Sequence, residues 1–279
     1  MSVDFYCVVG HPIEHSLSPW IHARFAERTG QSMRYDKRLL APDAFASGIA
    51  ALRQAGARGC NVTLPFKFAA LGLATEASQR ARLAQACNVL CFDRQQVWAD
   101  NTDGAGLVQD IVHNAAYPLA GKRILLIGAG GAAAGVLGPL IEARPAHISV
   151  ANRTPDKALR LVQRHAAWAA QHSCSLQSSA LAQVNGAFDV VINASSSSLQ
   201  GAGVPVSPQV LKPQALAYDL MYGPAAQSFT QWAKQHGAQA RDGLGMLVEQ
   251  AALAFAIWRK VLPPSAHVLA ELRAHLQHH

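Results

Sequence analysis

The sequence predicts a two-domain α/β fold with mostly parallel sheet, on three observations. Short apolar runs alternate with helix-length segments from end to end, the pattern of strands joined by covering helices. The 279 residues suffice for two domains at ~100–200 residues each. A glycine-rich turn, Gly128-Ala-Gly-Gly-Ala-Ala133, separates one such strand from the helix-length segment after it.

In chain order, Phe5–Val9 reads as a buried strand. A helix follows over Pro19–Thr29, with Ser18 as N-cap, Pro19 at the first helical position and Gly30 just past the end. A second helix over Pro42–Ala55 precedes a strand over Cys60–Thr63. Val89–Phe92 and Val97–Ala99 flank Asp93-Arg-Gln-Gln96 and read as a hairpin. Polar turn chemistry at Asn101-Thr-Asp-Gly104 marks the boundary between two α/β patterns. Beyond it come strands at Arg123–Ile127, Ile148–Ala151 and Phe188–Ile192. The last long helix, Met246–Val261, is apolar on nearly every side and stops at Pro263-Pro264, so it should be buried.

Composition narrows the class. Hydrophobic residues are 50% and charged residues 15% of the chain, which excludes a disordered or fibrous protein. The formal charge of +7 suits an anionic partner, yet no basic run of about five or six residues marks a nucleic-acid or membrane tail. Small acidic ligands fit better. The five cysteines are odd in number, with no C-x-x-C pair, against both a disulfide framework and a zinc site. No signal-peptide pattern opens the chain and no stretch of ~18 apolar residues occurs, so a reducing, cytoplasmic setting without membrane or nucleic-acid partner is expected.

The glycine turn carries chemistry. In the G-x-G-x-x-A pattern of Gly128 to Ala133, the first glycine permits a tight turn and the second lets backbone approach a pyrophosphate. The small third position lets helix and strand pack closely, and the helix N–H groups face the phosphates. The next strand ends at Asn152-Arg153-Thr154, where an NAD-binding protein would usually carry an acid for the ribose 2′-hydroxyl. Arg153 can instead grip a 2′-phosphate bidentately. Thr154 and Pro155 start a helix, whose face carries Lys157, Arg160 and Arg164. Arg153 and Lys157 are read as phosphate ligands, Arg160 and Arg164 as a solvated face. The expected cofactor is NADP, in a Rossmann-like domain.

Elsewhere, His15-Ser-Leu-Ser-Pro19 puts two hydroxyls at a helix start, a site suited to a carboxylate. From local sequence alone, an N-cap serine plus a loop serine is the better explanation. Asn61-Val-Thr-Leu-Pro-Phe-Lys67 ends a strand and starts a helix at Pro65, placing Lys67 in a first turn that disfavours a cation. Alone, Lys67 would pass for a solvated lysine and Asp103 for a turn former.

Taken together, these segments resemble the shikimate dehydrogenase family over essentially the whole chain. The matching motifs are Gly10 to Pro19, Asn61 to Lys67, Asp100-Asn-Thr-Asp-Gly104, Gly128 to Ala132, Asn152-Arg-Thr154 and Asp242 to Gln250. The resemblance implies an N-terminal α/β substrate domain (1–104 with 244–279) and an inserted Rossmann-like NADP domain (105–243). It also implies reversible reduction of 3-dehydroshikimate to shikimate, on the route to chorismate and aromatic amino acids, by a monomer or homodimer. By the same resemblance Ser16 and Ser18 hold the substrate carboxylate. Thr63, Lys67, Asn88, Asp103 and Gln250 surround the ring hydroxyls, with Tyr222 near the same pocket. Lys67 and Asp103 are the catalytic pair. Gly128, Ala129, Gly130, Gly131, Ala132, Asn152, Arg153, Thr154 and Lys157 bind NADP, with Met221 and Gly243 at the nicotinamide end. No metal is implied.

Two segments depart from the family pattern. Asn193-Ala-Ser195 resembles the family's segment that typically closes over the cofactor, but the run Ser195–Ser198 departs from its usual threonine-containing pattern, and Ala86-Cys-Asn-Val89 stands where Val-Asn-Thr is more common. Both leave Asn88 in place. A quinate/shikimate enzyme using NAD is opposed by Arg153 and Lys157, and less strongly by Ser18, where quinate-preferring relatives can carry threonine. A non-catalytic NADP or metabolite sensor could do without Lys67 and Asp103, and both are present.

Overall fold

A computed structural model describes residues 3–93, 96–195 and 204–277. The chain divides into two compact units, Met1–Gly106 with Val248–His279, and Leu107–Leu247. In the first, β1 (Asp4–Gly10), α1 (Ser18–Thr29), β2 (Met33–Leu39), α2 (Phe45–Gln54) and β3 (Ala57–Val62) are followed by α3 (Lys67–Leu71) and β4 (Glu76–Ala77). Then come α4 (Gln79–Ala84), the antiparallel pair β5 (Val89–Asp93) and β6 (Gln96–Asp100), and the start of α5 (Asp103–Gln109). The sheet order is β2-β1-β3-β5-β6-β4. It is parallel from β2 to β3 and turns antiparallel at β5.

Strand alternation gives this sheet two apolar faces. Cys7, Val9, Cys60 and Val62 join Phe45, Ile49 and Leu52 of α2 in one cluster. Tyr6 and Val8 join Ile13 and Tyr35 in another, with Trp258 packed against it.

The second unit holds β7 (Arg123–Ile127), α6 (Gly131–Glu142), β8 (His147–Asn152), α7 (Pro155–Gln171) and β9 (Ser175–Ala180). It continues with β10 (Phe188–Asn193), β11 (Leu211–Asp219), α8 (Gln227–Gln235) and β12 (Gln239–Arg241). All pairings are parallel, in the order β12-β11-β10-β7-β8-β9. Ile124, Leu126, Ile148, Val150, Val190 and Ile192 enter one cluster, while Leu125, Ile127, Ala151 and Val191 enter the other. Both faces are therefore covered, as a parallel sheet requires.

The chain returns through α9 (Leu244–Arg259) and α10 (Ser265–Gln277). The Trp258 ring stacks on Tyr6 at 4.8 Å, and its indole N–H donates to the Leu90 carbonyl at 3.2 Å. This buries the C-terminal half of α9 against the first sheet.

Several expectations change. α1 begins at Ser18 itself, because Leu17 already has helical backbone angles (φ −86°, ψ −5°). The hydroxyl ahead of the first turn is that of Ser16, which accepts the Ser18 N–H at 3.3 Å. Pro42–Ala44 forms a 3₁₀ turn before α2. α3 begins at Lys67 rather than Pro65, since Phe66 N–H closes a turn onto the Thr63 carbonyl. α10 follows the two prolines, so α9 is not the last long helix. No helix among the described residues is long and apolar enough to cross a membrane.

Candidate active site

In the first sheet the topological switch lies between β1 and β3, whose following loops leave in different directions and emerge side by side at the strands' carboxyl ends. Such a point is where open α/β sheets bind ligands. Thr63 N–H donates to the Val9 carbonyl at 3.0 Å, and His11 N–H to the Leu64 carbonyl at 3.0 Å, locking the two loops together. Gly10 is required there: a Cβ would fall 2.5 Å from Thr63 Cγ2. The loop after β1 carries Ser16 and leads into Ser18 at the start of α1, and the loop after β3 carries Thr63 and leads into Lys67 at the start of α3.

Phe66, buried, stacks on Phe45 at 4.4 Å and pins the start of α3. The Lys67 carbonyl accepts Cys87 N–H at 2.9 Å. With its backbone fixed on both sides, Lys67 directs Nζ to Asp103 Oδ2 at 2.6 Å. Side-chain exposures of 16% and 7% make this a largely desolvated pair. Asn88 completes the group. Its Nδ2 lies 2.9 Å from Asp103 Oδ1, 3.0 Å from Gln250 Oε1 and 3.0 Å from Thr102 Oγ1, while its Oδ1 accepts Thr102 N–H at 2.8 Å. Four separate segments thus converge on one ammonium–carboxylate pair.

A buried polar thread backs it. Tyr35 O–H donates to Asn61 Oδ1 at 2.6 Å, and Asn61 Nδ2 donates to the Asn88 carbonyl at 3.1 Å. Burial pushes the Tyr35 phenol well up, with the Ser18 side chain hydrogen-bonded beside it. Burial also pushes the Cys87 thiol up to about 12, against the pull of Lys67. From sequence Tyr35 has no role assigned, and Asn61 and Thr102 enter there only as members of motifs. The available signal was a lone asparagine between Cys60 and Val62.

In the second sheet the switch lies between β7 and β10, and the glycine turn follows β7. Gly128 has φ +112°, and a Cβ on it would sit 2.9 Å from the Ala194 carbonyl oxygen, so only glycine fits. Gly130, the residue before α6, differs: a Cβ there would meet nothing within 4 Å. That open space lies beside the first turn of α6, at Gly131 and Ala132, where helix N–H groups lack intrahelical partners. Ala133 is buried. The turn therefore fits a pyrophosphate.

After β8, Asn152 Nδ2 donates to the Thr154 carbonyl at 2.9 Å and shapes the entry into α7. Thr154 occupies the N-cap position, although its hydroxyl caps nothing. Arg153 and Lys157 are exposed, and no carboxylate pairs with either among the described residues. Free cations at this strand end fit the 2′-phosphate of NADP.

Asp219, buried at the end of β11, went unnoticed in the sequence. It accepts Asn193 Nδ2 at 2.9 Å and Met221 N–H at 2.8 Å, and Gly243 N–H donates to the Met221 carbonyl at 2.8 Å. Met221 and Gly243 are thereby joined, and a Cβ on Gly243 would fall 2.2 Å from the Leu220 carbonyl oxygen. Tyr222 follows in the second unit, its phenol pushed up by burial. Ala129 is half-buried in the turn. Of the Ser195–Ser198 run, residues 196–198 lie outside the described residues; Ser195 Oγ donates to Asn193 Oδ1 at 2.7 Å.

A parallel sheet with this turn at its switch point, in a chain that also builds a buried lysine–aspartate pair, defines the class of dinucleotide-dependent α/β oxidoreductases. Three family models match: the shikimate dehydrogenase substrate binding domain over residues 8–90, shikimate / quinate 5-dehydrogenase over 109–202 and the shikimate 5′-dehydrogenase C-terminal domain over 243–273. A relative from Acidovorax sp. (strain JS42), called shikimate dehydrogenase (NADP(+)), is 58% identical over 98% of this chain and 97% of its own. One of the same description from Paracidovorax citrulli (strain AAC00-1) is 59% identical, covering 98% of each. Among solved structures, the Ael1 enzyme from Pseudomonas putida is 42% identical with a TM-score of 0.88, over 96% of this chain and 98% of that one. Shikimate 5-dehydrogenase from Thermus thermophilus, solved with NADP(H) and shikimate, is 30% identical with a TM-score of 0.85, over 98% and 99%. The chain belongs to the shikimate dehydrogenase family.

Proposed function

We propose that this chain is an NADP-dependent oxidoreductase that reversibly reduces 3-dehydroshikimate to shikimate, within chorismate and aromatic amino acid biosynthesis. The carrying observation is the Lys67–Asp103 pair at 2.6 Å, held by an asparagine that also reaches Gln250. Relatives above 50% identity called shikimate dehydrogenase (NADP(+)) support the same reaction. Residues 1–104 with 244–279 form the substrate domain and 105–243 the NADP domain.

Bound at the glycine turn, NADPH supplies a hydride to the substrate's carbonyl carbon. Negative charge then develops on the ketone oxygen. The Lys67 ammonium stabilises that charge and donates a proton from Nζ; in the reverse direction Nζ takes the proton back. Asp103 orients the ammonium and accepts a hydrogen bond from the adjacent ring hydroxyl. Asn88 and Gln250 hold ring hydroxyls with Thr63, Ser16 and Ser18 take the substrate carboxylate, and Tyr222 lies against the ring. Gly128 to Ala132 cradle the pyrophosphate, while Asn152 to Thr154 and Lys157 take the adenosine end. Met221 and Gly243 lie toward the nicotinamide. Free Arg153 and Lys157 weigh against an NAD-dependent enzyme acting on quinate. The enzyme works in the cytoplasm on a small molecule, as a monomer or homodimer, with no nucleic-acid partner.

The test is the absorbance of NADPH on mixing with 3-dehydroshikimate, repeated with NADH. Rapid oxidation of NADPH and much slower oxidation of NADH are expected. No oxidation of NADPH by pure, folded protein overturns the reading.

A further inference from the structure

We infer that Arg80 and Asp100 are positioning residues for this reaction: their ion pair fixes the turn that presents Asp103 to Lys67. The inference rests on the reading of Lys67 and Asp103 as the reacting pair. Asp100 ends β6, three residues before Asp103, and its side chain is 4% exposed. Arg80 reaches it from α4 with both prongs of the guanidinium, Nε to Oδ1 and Nη2 to Oδ2, each at 2.6 Å. The same carboxylate accepts Ser78 Oγ–H and, at 2.7 Å, the Asn101 N–H. Ser78 Oγ also caps α4 by accepting Ala81 N–H at 3.2 Å, so the short helix is docked on Asp100 at its own start.

From that anchor the turn is tethered residue by residue. Asn101 Nδ2 donates to the Ala86 carbonyl at 3.0 Å, and Asn101 Oδ1 accepts Asp103 N–H at 3.2 Å. Thr102 Oγ1 donates to the Gln250 carbonyl at 3.0 Å. Asp103 receives Asn88 and Lys67. The later tethers belong to the site itself, whereas the Arg80–Asp100 pair holds the end where the turn leaves the strand. A bidentate arginine–carboxylate pair fixes direction as well as distance. Loosening it moves Asp103, and a displacement of about 1 Å at a reacting group costs turnover by ~10²-fold.

Arg80→Lys keeps the charge and removes one prong; Asp100→Asn keeps a single oxygen to accept Asn101 and Ser78, removes the charge and leaves no acceptor for the second Arg80 prong. Both are compared with the parent and with Lys67→Ala for kcat, KM for 3-dehydroshikimate, Kd for NADPH, and folded fraction at the assay temperature. The expected result is a kcat lowered ~10- to 100-fold with KM and Kd within ~3-fold and the folded fraction unchanged, a split that mere instability does not produce. Arg80→Lys on Lys67→Ala should cost little further, because both changes act through one pair. A kcat within ~2-fold of parent in Arg80→Lys, or a loss that follows the folded fraction, overturns the positioning role. Should Lys67→Ala itself turn over normally, the catalytic-pair reading fails instead.

Discussion

At the carboxyl end of the first sheet the polar side chains hold one another: Asn88 meets Thr102, Asp103 and Gln250, and Lys67 meets Asp103, all substantially buried. At the corresponding end of the second sheet, Arg153 and Lys157 stand exposed and unpaired among the described residues, beside a turn whose Gly130 faces open space. The difference follows from the two tasks. Stabilising a developing charge needs donors already oriented in a poorly solvated setting. Gripping a phosphate that arrives with its own charge needs free cations and exposed backbone N–H groups. Changes in the first region should therefore lower turnover, and changes in the second should weaken affinity while leaving the fold intact.

The largest expected effect is that of Lys67→Ala. Loss of a general acid of this kind lowers kcat by ~10²–10⁴. The NADPH affinity and circular dichroism spectrum should stay those of the parent. Near-normal turnover would remove Lys67 from the chemistry and erase the distinction between the regions.

Arg153→Ser comes next. A charge-assisted hydrogen bond contributes about 1.5–3 kcal/mol, so KM for NADPH should rise ~10- to 100-fold. KM for NADH and the Tm should hold, since Arg153 is exposed. An equal rise for NADH would show that Arg153 does not read the 2′-phosphate.

A middling effect comes from acid. His22 is fully buried, stacked on Tyr35 at 4.1 Å, with neither ring nitrogen hydrogen-bonded in the described structure. Burial pushes its pKa down to about 3, which the nearby Asn61 only partly offsets. Unfolded, it titrates near 6.5. Below that pH the unfolded chain binds a proton that the folded chain refuses, so stability falls by about 1.4 kcal/mol per pH unit. Urea unfolding of parent and His22→Phe at pH 7 and pH 5 checks this: the parent should lose about 2 kcal/mol more than the variant. Equal losses would sink it. His165 and His147 of the second unit, also pushed down by burial, leave a residual slope in both proteins.

Gly130→Ala should do least to the fold, under ~0.5 kcal/mol, because the added methyl meets nothing. It should still raise KM for NADPH several-fold by holding the pyrophosphate off the backbone. Gly128→Ala makes the contrast: its positive φ and the Ala194 carbonyl should cost ~1–3 kcal/mol of stability in thermal melts. Matching melts for the two would show that the turn is not shaped as described.

Much of the fold was legible because its central strands are apolar on both faces. Arg123–Ile127 is the strand the sequence predicts, residue for residue, and β8 and β10 differ from expectation only at their ends. The edge strands were not legible. β2 reads Met-Arg-Tyr-Asp-Lys-Arg-Leu with only Tyr35 buried, and β9 is Ser-Leu-Gln-Ser-Ser-Ala; an edge exposed to solvent needs no apolar run to pair. In the site, the motifs pointed to Lys67, Asn88, Asp103 and Gln250. They gave no sign of Arg80, Asp219 or Tyr35, whose types and spacings look ordinary until their partners are seen, and they included Asp100 without showing what it holds.

Sequence alone determined what is local: a tight turn demanding glycine at 128, a cation rather than an acid after β8, and helix-length segments between apolar strands. Each is a preference of a few neighbouring residues, so it survives without knowledge of the rest. Tertiary structure decided which donor faces which acceptor. Asn88 and Gln250 stand 162 residues apart along the chain, yet meet at 3.0 Å. Only packing of the return helix onto the first sheet brings them together, because the free energy of burying its apolar side chains depends on contacts that no short window of sequence contains.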